Sequence, residues 1–108
     1  MASQYAFHFE HLDVYQVALS VARWNHTVHW PTGLTHLKDQ GIRAADSTVL
    51  NIAEGVARGG RPGQNHLRIA QGSAGEVLAV LDIALLPGAS EQQARLRRVG
   101  AMLQKMKA

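Results

Sequence analysis

Apolar residues recur along this chain at three- and four-residue intervals, the period of an amphipathic helix. In the first segment Leu12, Tyr15, Leu19 and Ala22 set a stripe that Val14, Val17, Val21, Trp24 and Val28 widen, predicting a helix over 14–29. Asp13 and Gln16 have the spacing of a capping box, and Leu12 with Val17 that of a hydrophobic staple. Trp30-Pro31-Thr32-Gly33 breaks this helix. A second helix is predicted over 34–57, with Leu37, Gly41, Ala45, Thr48, Ile52 and Gly55 on its core stripe and Val49 and Val56 beside it. Glycine in a helix costs about 1 kcal/mol relative to alanine, so the two glycines on this stripe point to close approach by another helix. Arg58-Gly59-Gly60-Arg61-Pro62-Gly63 reads as a connector that cannot hold a helix. A third helix over 64–86 carries Leu67, Ala74, Leu78, Leu81 and Leu85, and Pro87-Gly88 ends it. Ser90 and Gln93 have capping-box spacing before a fourth helix over 91–106, which buries Leu96, Val99, Leu103 and Met106. No segment alternates as a half-buried strand does. The pattern predicts an all-α fold, an antiparallel up-down four-helix bundle, with residues 1–108 as one domain and 1–11 as a loosely attached arm.

The third helix has a second stripe. Ile69, Ser73, Glu76, Val80 and Ile83 lie more than about 100° around the helix from the leucine stripe. Such a stripe packs either on a neighbouring helix or on another subunit, where a polar pair sets register. The second helix offers a complement in Arg43, Ser47, Leu50 and Glu54, with Asn51 on its edge. Glu54 is also placed to reach Arg58 at i+4. A meeting of Arg43 with Glu76, within or between chains, would make a partly buried ion pair.

Charge changes the picture more than overall composition does. The net charge is +3, yet residues 1–55 sum to −2 and residues 56–108 to +5. Such asymmetry suits a partner of negative charge, or a solvated helix face. Arg58, Arg61, His66 and Arg68 gather around the connector between the second and third helices, and Arg95, Arg98 and Lys105 share a flank of the fourth. Neither cluster holds an aromatic residue for stacking, so contact with RNA or DNA would be to the backbone. The chain has no cysteine, hence neither disulfides nor thiolate metal sites, and this suits a reducing cytoplasm. No apolar run approaches the roughly 20 residues that span a bilayer, and neither a signal peptide nor a membrane partner is expected.

Catalytic or metal constellations are sparse. His8/His11 and His26/His29 are His-x-x-His pairs, and the second reads as a surface pair near a helix C-terminus. No glutamate is followed by histidine three residues on, which argues against a di-iron bundle. Ser73 follows Gly72 without the Gly-x-Ser-x-Gly frame of a nucleophile elbow. The expectation is a protein that is not an enzyme and has no cofactor or metal site.

Phe9-Glu10-His11-Leu12-Asp13-Val14-Tyr15-Gln16, then Asn51-Ile52-Ala53-Glu54-Gly55, then Arg68-Ile69-Ala70 followed by Gly72-Ser73 and Glu76, form a recognisable series. It resembles the 23S rRNA-intervening sequence protein family of four-helix bundles, over roughly residues 7–86. The chain departs from that pattern at Gly41, Ile42, Asp46 and Thr48-Val49-Leu50, and its connector after Arg58 is shorter and richer in glycine. The resemblance implies a ring-shaped homo-oligomer, commonly a pentamer. It also implies kinship with the accessory variability determinant protein of diversity-generating retroelements, which works with a reverse transcriptase and nucleic acid. Two functions follow as expectations. One is sequence-independent nucleic-acid binding through Arg58, Arg61, Arg68, Arg95, Arg98 and Lys105. The other is a scaffold whose ring docks a protein partner. Arg43, Asn51, Glu54, Ile69, Ser73, Glu76, Val80 and Ile83 are the expected interface or structural polar positions.

Overall fold

A computed structural model describes residues 6–106. Its helices are α1 (Asp13–Thr27), α2 (Thr35–Arg58), α3 (Gly60–Ala84) and α4 (Ala89–Met106), and the described residues contain no strand. Contacts join α1 to α2, α2 to α3, α3 to α4 and α4 back to α1, so the four helices surround one core. The predicted helices are all present, with ends displaced by up to four residues.

The displacement is largest at the α2–α3 connector. Only Gly59 separates these helices, and Arg61, Pro62 and Gly63 lie inside α3. Proline is tolerated here because the first helical turn has no use for its missing N–H. Gly59 and Gly60 take φ of 64° and 60°, a left-handed backbone that glycine adopts without steric cost. The Gly63 N–H then donates to the Gly59 carbonyl at 3.0 Å, closing the first turn of α3.

The tight turn sets the largest helix–helix interface. Gly55 of α2 and Gly63 of α3 lie backbone against backbone: a Cβ on Gly63 would collide with the Gly55 carbonyl. A Cβ on Gly55 would lie 2.8 Å from Leu67 Cδ2. Further along, Gly41 makes room for Trp30 and Val80, each 3.2 Å from where its Cβ would be. The glycines of the α2 stripe thus serve close approach, as their positions predict. Leu37, Ala45, Thr48, Val49 and Ile52 of that helix are buried with them.

Core faces differ from expectation on two helices. The fully buried seam of α1 is Val14, Ala18, Val21 and Asn25, while Leu12, Tyr15 and Leu19 are only partly buried. Small residues face the centre because α1 is wedged between α2 and α4, and larger ones cover the flanks. On α3, Leu85 is not a core residue. It ends the helix at φ 54°, ψ 43° and is 84% exposed; Leu86, turned inward by that left-handed step, is buried instead. On α4, Leu96, Val99 and Leu103 are buried as predicted, joined by Ala89 and Gln92.

Neither capping box forms. Leu12 occupies the N-cap of α1 without a side-chain bond, and Gln16 Nε2 donates instead to the Glu10 carbonyl at 2.9 Å. Ser90 lies within α4, and Gln93 Nε2 donates to Asp82 Oδ1 at 2.7 Å, tying α4 to α3. Residues 7–11 are not a loose arm. His8–His11 form a 3₁₀ turn against α1 and α2, with Phe9 edge-on to Tyr15 at 4.9 Å and the Phe7 N–H on Glu10 Oε2. Residues 1–5 of that expected arm lie outside the described residues. Trp30, read from sequence as part of a helix stop, is itself core: its indole N–H donates to the Asn25 carbonyl at 3.1 Å.

Candidate nucleic-acid interface and assembly face

Two surfaces stand out, one cationic and one apolar. The cationic surface lies at the end of the bundle where α2 stops and α3 starts. Arg58 closes α2, while Arg61 and Arg68 flank an open hollow lined by Gly60, Pro62, Gln64 and Asn65. Gln64 Nε2 donates to the Met106 carbonyl at 3.2 Å, which brings the end of α4 and its Lys105 to the same end of the bundle. Arg58, Arg61, Arg68 and Lys105 are all exposed. Among the described residues Arg58 pairs with Glu54 at 3.5 Å, the i+4 pair expected from sequence, and exposed pairs of this kind bind weakly.

The remaining α4 cations do not join this group. Arg95 is engaged on its own helix, with Nη2 2.7 Å from Glu91 Oε1, and its Nη1 lies 3.5 Å from Ser20 Oγ of α1. Arg98 is exposed near the middle of α4, two residues before Gly100, whose carbonyl accepts from Gln71 of α3. His66 leaves the expected cationic cluster too. Asn51 Nδ2 donates to the Ser47 carbonyl at 2.9 Å and Ser47 Oγ at 3.1 Å, so Asn51 Oδ1 is free to accept from His66 Nδ1 at 2.8 Å.

That bond belongs to a polar seam between α2 and α3. Ser47 and Ser73 continue it, their hydroxyls 2.9 Å apart. Half-burial of all four side chains makes their mutual satisfaction necessary, since an unpaired polar group there would cost about 1–3 kcal/mol. In the sequence Ser47, Asn51 and Ser73 stood as separate polar positions on two stripes and His66 as part of a cationic cluster; only the register of α2 on α3 pairs them.

Around the seam lies the apolar surface. Leu50 on α2 is 67% exposed, and Ile69 and Ile83 on α3 are 46% and 64% exposed. Val80, predicted on the same stripe, is instead 4% exposed and part of the core, because it packs over Gly41. Arg43 and Glu76 are exposed on this side, and Glu54 is partly so. Arg43 and Glu76 do not pair with each other: the ion pairs among the described residues are His26–Asp46, Arg58–Glu54 and Arg95–Glu91.

His26 and His29 are not a helix-face pair, because α1 ends at Thr27 and His29 lies beyond its cap. His26 Nε2 instead meets both carboxylate oxygens of Asp46 on α2, at 2.9 and 3.1 Å. No helix among the described residues is long and apolar enough to cross a membrane. No curated protein and no solved structure matches the chain. The model of the 23S rRNA-intervening sequence protein family does match, over residues 10–105, and the chain, predominantly helical over that span, belongs to that family.

Proposed function

We propose that this protein is a non-enzymatic, self-assembling four-helix bundle that binds the backbone of RNA or DNA without reading its sequence. The observation that carries the reading is the convergence of Arg58, Arg61, Arg68 and Lys105 on one end of the bundle, from three different helices. Backbone N–H groups at the start of α3 add a partial positive charge beside Arg61. Aromatic residues are missing from the group, which favours phosphate contacts over base stacking.

An antiparallel up-down arrangement supports this convergence. Contacts between α2 and α3 step from Gly55–Gly63 through Asn51–His66 and Ser47–Ser73 to Gly41–Val80, one number falling as the other rises. Those between α3 and α4 step likewise from Gln64–Met106 through Gln71–Gly100 to Asp82–Gln93. Self-assembly, as a pentameric ring on the family resemblance, is supported by the exposed Leu50, Ile69 and Ile83. Repeating the cationic end around a ring would multiply weak phosphate contacts.

A filter-binding titration across salt concentrations tests the reading. Affinity should fall steeply with salt. Replacing Arg58, Arg61 and Arg68 by alanine should flatten the log–log slope by roughly 0.9 for each duplex phosphate no longer neutralised. Assembly without any nucleic-acid binding at low salt would refute the reading and favour the scaffold function.

A further inference from the structure

We infer that the outer face of α3 docks α2 of a second copy of this chain, Glu76 of one copy meeting Arg43 of the next while Ile69 packs on Leu50. This rests on the self-assembly in the reading above and names the contact that would produce it.

Charge complementarity carries the assignment. Arg43 and Glu76 are exposed, and neither belongs to any of the ion pairs among the described residues. Each is accompanied by an exposed apolar residue at the same distance along its helix. Arg43 and Leu50 are seven residues apart on α2, and Ile69 and Glu76 are seven residues apart on α3. Seven residues make two turns and about 10.5 Å, so helices laid side by side in opposite directions bring cation to carboxylate and leucine to isoleucine together.

The α3 face is also shaped for close approach. Gly72 is exposed about 40° around the helix from Glu76, and a Cβ on it would meet nothing within 4 Å among the described residues of its own chain. It forgoes about 1 kcal/mol of helix propensity with no packing return among those residues. Each copy carries both halves of the contact, so it forms either twice across a two-fold axis or once per copy head-to-tail, and a head-to-tail contact closes as a ring when the rotation allows.

Sedimentation of the full chain over a concentration series tests this, using wild type, Arg43→Glu, Glu76→Arg, the double variant, and an equimolar mixture of the two single variants. Like charges facing across every contact should weaken assembly at least about tenfold in each single variant. The double variant restores opposite charges at every contact and should recover to within about threefold of wild type, and the mixture restores them wherever the two variants alternate, so it should assemble more tightly than either single variant alone. Circular dichroism should show unchanged helicity, since both side chains are exposed. If a swap loses helicity, Ile69→Ser takes its place and must weaken assembly at least about tenfold for the contact to stand. A monomeric wild type would refute self-assembly altogether. A wild type that assembles while the single swaps leave it unchanged, or while neither restored arrangement recovers, would overturn this contact and leave self-assembly standing.

Discussion

The Gly55–Gly63 crossing allows a sharp test of what holds the bundle together. Replacing Gly55 by alanine adds one methyl group to a helix interior, a change that by propensity alone stabilises by about 0.8–1.0 kcal/mol. At this position the new Cβ would lie 2.8 Å from Leu67 Cδ2, 2.9 Å from Leu67 Cγ and 2.9 Å from the Gly63 carbonyl oxygen. Carbon atoms in contact prefer about 3.5–4.0 Å. The Leu67 side chain can turn partly aside, but the Gly63 carbonyl is backbone, and α3 is fixed there by the one-residue connector. The helices must therefore separate along their largest interface. Overpacking of this kind costs about 1–3 kcal/mol, which exceeds the propensity gain at most of its range. The expected net effect is a loss of about 0–2 kcal/mol, a fall in Tm of up to roughly 15 °C for a domain of this size. Gly100→Ala is the matched comparison, because a Cβ at Gly100 of α4 meets nothing within 4 Å. It should gain roughly 0.5–1 kcal/mol. Thermal melts by far-UV circular dichroism, at one fixed protein concentration so that self-association contributes equally, give both values. Equal stability of the two variants would refute the close-crossing argument.

Leu85 holds a left-handed backbone with an exposed side chain, so Leu85→Gly should stabilise by about 0.5–1 kcal/mol in urea denaturation; a loss would mean that the leucine side chain is covered by a partner. The His26–Asp46 pair is half exposed, with side chains 50% and 42% accessible, so His26→Ala should move the urea midpoint by less than about 1 kcal/mol equivalent. Asn51→Ala leaves the half-buried His66 Nδ1–H without its partner, while Ser47 Oγ keeps Ser73, and should cost about 1–2 kcal/mol, read in the same titration; a neutral result would show that the seam is wet. Lys105→Ala should weaken nucleic-acid affinity about equally for all sequences, whereas Arg95→Ala, whose guanidinium is already engaged by Glu91, should have a smaller effect; the reverse order would place the nucleic acid on the flank of α4.

Helical class, the number of helices and much of the core were legible from periodicity, because burial on one face of a helix imposes a 3.6-residue repeat that no other element shares. The α2 stripe from Leu37 to Gly55 and the α4 stripe from Leu96 to Leu103 were read residue by residue in this way. The glycines on α2 announced a close approach but not its partner, since a missing Cβ says only that space is short. Helix ends were less legible: the same Gly-Pro-rich run that breaks a helix in its interior can begin one, and α3 uses Pro62 in the turn where proline costs least. Leu85 and Val80 exchanged their expected environments for a similar reason. A left-handed step at one residue and a glycine on the facing helix are tertiary events, invisible to a single-helix wheel.

What the sequence determined by itself was therefore local: where chains of apolar residues face one way, and which half of the molecule is cationic. Tertiary structure alone decided which polar residues satisfy one another and which charges stay available. It paired Asn51 with His66 and Ser47 with Ser73, set Arg95 beside Ser20 of α1, and brought Lys105 to the same end as Arg58, Arg61 and Arg68. Hydrogen bonds and ion pairs act over about 3 Å, and residues far apart in sequence come that close only once helix packing has set their register.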